Sequence, residues 1–231
     1  MGPRRVGANS RHRPSLSCTL TEGPPSEEAD APEQVDPRIP ALIEEFQVTL
    51  ESEPDDTAIV QRFLLHGQSY AVNDSQEFEI KRLIAREFGL NVSTDLFVVG
   101  SAKLGFSIAP DQRWKPFGND SDVDIAIISH DLYQTVWHEV YDYNASGADW
   151  PKKRQFQKYL FRGWIRPDYL PAGPTFNFVD RWWKFFRDLK ANEIAGPYKI
   201  AGALYHDTEF LRKYHAYNVA RCRKIGDEDA D

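Results

Sequence analysis

Two short apolar runs, each joined to a chemically pointed step, constrain this chain more than any other stretch. Leu96-Phe97-Val98-Val99 runs into Gly100-Ser101, and further on Ser121-Asp122-Val123-Asp124 opens the run Ile125-Ala126-Ile127-Ile128. Apolar runs of this length, bounded by turn residues, predict buried strands. In a strand, residues i and i+2 share a face. Asp122 and Asp124 are therefore expected to aim two carboxylates at one point, with Val123, Ile125 and Ile127 on the opposite face. Two hard oxygen donors at a strand edge suit Mg²⁺, which binds one or two carboxylates and fills its remaining positions with water and substrate phosphates. Mn²⁺ is the alternative ion for such a pair. The Gly100-Ser101 step supplies what carboxylates cannot: a backbone that approaches a polyphosphate closely, with amide N–H groups and a hydroxyl as donors.

In this order the residues resemble the nucleotidyltransferase superfamily to which DNA polymerase β belongs. Its signature is a Gly-Ser after a strand, a glycine shortly beyond, then Ser-Asp-x-Asp on the next strand. Here it reads Gly100-Ser101-Ala102-Lys103-Leu104-Gly105-Phe106-Ser107, then Ser121-Asp122-Val123-Asp124. The resemblance covers about a third of the chain closely and the rest through compatible helices. It implies an α/β (α+β) fold with a nucleotidyltransferase-like small mixed β-sheet flanked by helices, those helices lying on one side. It also implies a Mg²⁺-dependent transfer of a nucleotidyl group from a nucleoside triphosphate such as ATP. Asp122 and Asp124 would be catalytic and hold the metal; Gly100, Ser101 and Lys103 would bind the nucleotide. The acceptor stays open: nucleic acid, protein or another nucleotide. The resemblance extends to stand-alone bacterial enzymes of antiviral defence and toxin–antitoxin loci, where a partner protein encoded nearby is expected.

The chain departs from the family pattern at two places. Compact members set Asp-x-Asp closer behind Gly-Ser, whereas here Ile108 to Asp120 adds a loop with Pro110, Arg113, Trp114, Lys115 and Pro116, either an entrance wall or inert surface. Active members also carry a third carboxylate on a later strand. The late apolar segment Tyr198 to Tyr205 has no acidic residue at its centre. Asp207 and Glu209 lie just beyond its end, and Asp180 qualifies if Phe176 to Val179 is extended. Asp207 reads more simply as a helix N-cap, with Thr208 and Glu209 in the first turn.

The net charge of -7 argues against a general nucleic-acid binder, since phosphate contacts need clustered Lys and Arg. The charge is uneven, however. Glu22 to Asp56 is strongly acidic, while Lys152 to Lys190 is rich in Lys and Arg and would steer a triphosphate or an acceptor strand. Two cysteines, Cys18 and Cys222, make no disulfide framework and fit a reduced, cytoplasmic setting. No secretory signal or membrane span is apparent.

Residues 1–37, poor in large apolar groups, are expected to be a disordered N-terminal extension, with a single nucleotidyltransferase-like domain and its C-terminal helical portion over 38–231. Within that domain two short helices are expected around Ala41–Phe46 and Ile59–Leu65. A third follows, capped by Asp74 or Ser75 and ended by Gly89. Lys81, Arg82 and Arg86 lie off its apolar stripe and are either solvated or turned toward phosphates. Lys103 is a phosphate partner or a surface lysine. Basic helices are expected over Lys152–Arg162 and Val179–Lys190. Trp164, Trp182 and Trp183 read as core ahead of base-stacking platforms. A final helix from Glu209 to Cys222 would place Phe210, Leu211, Tyr214 and Tyr217 on one side. Beside the enzyme stand two alternatives: a catalytically impaired nucleotidyltransferase-fold module that binds a nucleotide or a protein, and a nucleic-acid binder using the basic, tryptophan-rich half.

Overall fold

The structure, a computed structural model, describes residues 36–173 and 176–228. All but Asp36 and Pro37 of the expected disordered extension lies outside the described residues. Asp36 itself belongs to the folded part, since its carboxylate accepts from the Arg38 backbone at 2.8 Å and from the Tyr70 hydroxyl at 2.9 Å. In chain order the elements are α1 (Arg38–Ser52), α2 (Asp56–Val60) continuing into one π-helical turn over Gln61–Leu65, α3 (Asp74–Phe88), β1 (Leu96–Val99) and α4 (Ser101–Leu104). Then come β2 (Asp122–Ile128), α5 (His130–Ala145), α6 (Lys153–Leu160), β3 (Trp164–Ile165), α7 (Asn177–Ala191), β4 (Lys199–Tyr205) and α8 (Thr208–Glu228). This is a mixed α/β chain with eight α-helices among the described residues and a four-stranded sheet in the order β1-β2-β4-β3. No helix among the described residues is long and apolar enough to cross a membrane.

β1 pairs antiparallel with β2 through a connection that includes α4, and Val99 faces Asp124. β2 and β4 run parallel, from Asp122 opposite Lys199 to Ile128 opposite Tyr205. Parallel neighbours need a long crossover, and α5, α6 and α7 supply it. β3 adds antiparallel to β4, with Trp164 opposite Tyr205.

Alternation then divides the sheet. Val98, Val123, Ile125, Ile127, Ile200 and Leu204 share one face and pack with Ile80 and Ile84 of α3, Val136 and Val140 of α5, and Trp182 and Phe186 of α7. Val99, Ala126, Ile128, Trp164 and Tyr205 share the other and pack with Leu211 of α8. Helices thus cover both faces, where one covered side was expected. The second face is apolar over its far half, and that half needs a lid as much as the first face does. α7 comes unusually close because Gly202 offers no side chain: a Cβ there would lie 2.4 Å from Phe186 Cζ and 2.8 Å from Trp182 Cζ2.

Several local expectations shift. α3 is capped one residue earlier than expected, by Asn73, which forms a reciprocal capping box with Gln76. The final helix buries Leu211, His215, Val219 and Cys222, a helical stripe, while Tyr217 is exposed. Of the four residues expected on one side, Leu211 is buried and Tyr214 packs beside it against Trp164 and Tyr205, so the expectation holds in part. The loop over 108–120 folds back onto α1: Trp114 packs against Phe46 and Phe106, and Phe117 is buried. Trp164 and Trp182 are core residues, Trp164 stacked on Tyr205 at 5.5 Å between ring centres, so neither offers a free face to a base.

A candidate metal and phosphate corner at the mouth of the sheet

The corner is assembled from the ends of three strands. Asp122 and Asp124 open β2 on the face that carries Val99 and Ala126, so the two carboxylates converge as strand alternation requires. The Gly100-Ser101 turn leaves β1 beside Asp124. Gly100 has φ 67° and ψ -149°, a conformation essentially confined to glycine. A Cβ built there would stand 3.2 Å from Asp124 Oδ2. Glycine is therefore needed twice, for the turn and for the space beside the carboxylate. α4 follows as a single turn, with the amides of Lys103 and Leu104 both donating to the Gly100 carbonyl.

Two cations complete the setting. Lys199 begins β4 opposite Asp122, and its Nζ donates to Asp122 Oδ2 at 3.0 Å. Arg166 follows β3 on the same face. Its Nε donates to Asp168 at 3.0 Å, and its guanidinium lies 4.8 Å from the Tyr169 ring centre. Ala201 and Ala203 lie between Arg166 and Asp124 on this face, and such short side chains leave the arginine's field unobstructed. Asp124 reaches solvent yet is closely surrounded by protein. Burial, then the neighbouring Asp122 charge, push its pKa up to about 6 against the opposing pull of Arg166 and Lys199. No hydrogen bond is made to its carboxylate among the described residues. Paired anionic oxygens beside an open glycine shoulder fit one hard divalent cation.

The structure brings Asp122, Asp124, Gly100 and Ser101 together. It does not bring Lys103 to them. Lys103 is buried, and its Nζ donates to the Gly67 carbonyl beneath α4. Burial lowers its pKa, Glu77 opposes that shift and Lys81 adds to it. Backbone bonds fix the same junction, Tyr70 N to Lys103 O at 3.2 Å and Ala71 N to Ala102 O at 2.9 Å. Lys81 and Arg82 are committed to Glu77 and Glu79, each at 2.6 Å.

None of the candidate third carboxylates joins the pair. Asp207 and Glu209 follow the far end of β4, and the β2–β4 pairing separates that end from Asp122 by about 20 Å. Asp207 caps α8, accepting from Phe210 N at 2.9 Å and contacting His206 Nδ1 at 2.8 Å. Burial would raise its pKa, but these two bonds hold it below the usual value. Glu209 pairs with Arg212 and Lys213. Asp180 is exposed on α7, which covers the opposite face of the sheet. Among the described residues, no group of three or more His, Cys, Asp or Glu side chains is arranged to hold a metal ion.

Sequence reasoning missed Lys199 at this corner and placed Arg166 only within a basic region. Lys199 heads an apolar run just as Asp122 does, and that parallel could have flagged it. Compared with known proteins, the chain matches no described protein family, no curated protein and no solved structure.

Proposed function

We propose that this chain is a metal-dependent nucleotidyltransferase that takes a nucleoside triphosphate at the corner formed by Gly100, Ser101, Asp122 and Asp124. What carries the reading is the register of β1 on β2: it sets the Gly-Ser turn directly beside Asp124, with 3.2 Å between that carboxylate and the Cβ that glycine lacks. A small mixed sheet bearing the Gly-Ser turn on one strand and Asp-x-Asp on its antiparallel neighbour also supports a nucleotidyltransferase-like fold.

Asp122 and Asp124 are the residues that would hold Mg²⁺, which when bound neutralises phosphate oxygens and the charge that builds on them during transfer. Gly100 lets the triphosphate approach the backbone, and the Ser101 hydroxyl offers it a donor. Arg166, braced by Asp168 and Tyr169, presents a fixed positive group to the anionic tail. Lys199 balances Asp122 before any ligand arrives. Together these groups position and stabilise charge, which is most of what phosphoryl-centred chemistry asks of a protein.

The test is incubation of the full chain with each labelled triphosphate and Mg²⁺, reading pyrophosphate release and product mass. Asp122→Asn and Asp124→Asn should each abolish release while leaving circular dichroism unchanged. Full turnover by both variants would remove the proposal. A second reading, binding without transfer, is favoured by one observation: the β4 residues facing Asp122 and Asp124 are Lys199 and Ala201, neither a metal ligand. Triphosphate binding with no pyrophosphate from any acceptor tried would select it.

A further inference from the structure

We infer that the corner is built for one divalent cation per chain, with the Lys199 ammonium standing where a second ion would otherwise act; this deepens the reading proposed above and rests on it. β2 and β4 are parallel and in register, so the residues of β4 nearest the two carboxylates are fixed: Lys199 beside Asp122 and Ala201 beside Asp124. Alanine offers no donor. Lysine offers three donors, no acceptor and a positive charge, and its Nζ is already 3.0 Å from Asp122 Oδ2. Asp122 therefore enters any complex with one oxygen engaged by a cation, and a second metal ion would have to displace that ammonium. Arg166 adds a further positive group on the same face, acting on Asp124. The charge a second ion would supply is provided by side chains already on this face.

Lys199 is thus a positioning residue, acting on substrate through Asp122. It is exposed at the first position of its strand, so replacing it leaves the core intact, which thermal melts would verify.

The experiment is a count of bound Mn²⁺ by electron paramagnetic resonance on the full chain, with Mn²⁺ alone as probe. Wild type should bind one ion, lost in Asp124→Asn. Lys199→Met should keep one ion but bind it at least about tenfold more tightly, since a like charge within a few ångströms has been removed. Lys199→Asp should bind two. Two ions on the wild-type chain, an unchanged affinity in Lys199→Met, or a single ion in Lys199→Asp would each overturn the inference and leave the proposed transferase standing. No Mn²⁺ on the wild-type chain would overturn both.

Discussion

On one face of β2, Val123, Ile125 and Ile127 are closed off by α3, α5 and α7, whereas on the other Asp122 and Asp124 stand at the open end and only Ala126 and Ile128 are sealed, beneath α8. The two sets alternate along a single strand, so neighbours in sequence obey different rules. The closed face is satisfied by apolar burial alone. The open end holds two anions that repel each other: Lys199 offsets Asp122 in part, and burial still pushes Asp124 up to a pKa of about 6 against the pull of Arg166 and Lys199. A strand carrying such a pair at its mouth is held in place by the apolar face behind, the pattern expected of a site under the proposed function.

The sharpest break of this comparison is between Asp124 and Ile125. Asp124→Asn should cut Mg²⁺-dependent pyrophosphate release by about 10³-fold or more, the scale of losing a central charge-stabilising group, and should leave urea stability equal to wild type or higher. Ile125→Ala, one residue on and almost wholly buried, should cost about 2–5 kcal/mol in the same urea titration. Similar stability losses in the two variants would erase the distinction between the faces.

The lid over the second face has its own signature. His215 lies on the buried stripe of α8, and burial pushes its pKa down to about 4. That value lies below the ~6.5 of an unfolded histidine, so on acidification the unfolded chain takes up the proton first. Its contribution to stability should therefore be complete above about pH 6.5 and fall progressively toward about pH 4, by on the order of 3 kcal/mol. His215→Leu should flatten that part of the pH–stability curve; an unchanged slope would assign it to other groups.

Smaller effects sharpen the picture. Gly100→Ala, which forces a side chain into a glycine conformation beside Asp124, should cost about 1–3 kcal/mol and weaken Mn²⁺ binding as well. Asp207→Ala, at the far end of β4, should cost about 1 kcal/mol of helix capping and leave pyrophosphate release untouched. Activity lost with Asp207 would return that residue to the reacting centre.

Sequence made the strands β1 and β2 legible, with the Gly-Ser turn and the aspartate pair, because alternation and turn chemistry are local. It also favoured burial for Trp164 and Trp182, which are core, and for Trp183, which is partly buried. What stayed hidden depends on register and direction. Lys199 meets Asp122 only because β4 pairs in parallel at that offset, and β3, at two residues, is too short to leave a pattern. Lys103 sits one turn past Gly100 in sequence, but that single turn carries it under α4 instead of over the corner. The face buried by α8 was legible in Leu211 and Tyr214 but not in His215, Val219 and Cys222, because its aromatics are conspicuous and its buried histidine and cysteine are not.

The bonds that join α4 to residues 67–71 have a consequence for how this corner can change. The Gly100-Ser101 turn is fastened from below by Lys103 to Gly67 and by the backbone of Tyr70 and Ala71. Its height above the aspartates is thus decided by a stretch that precedes α3 and lies outside the corner. Variation in that upstream stretch can retune the gap between turn and carboxylate without altering a single residue of the corner itself.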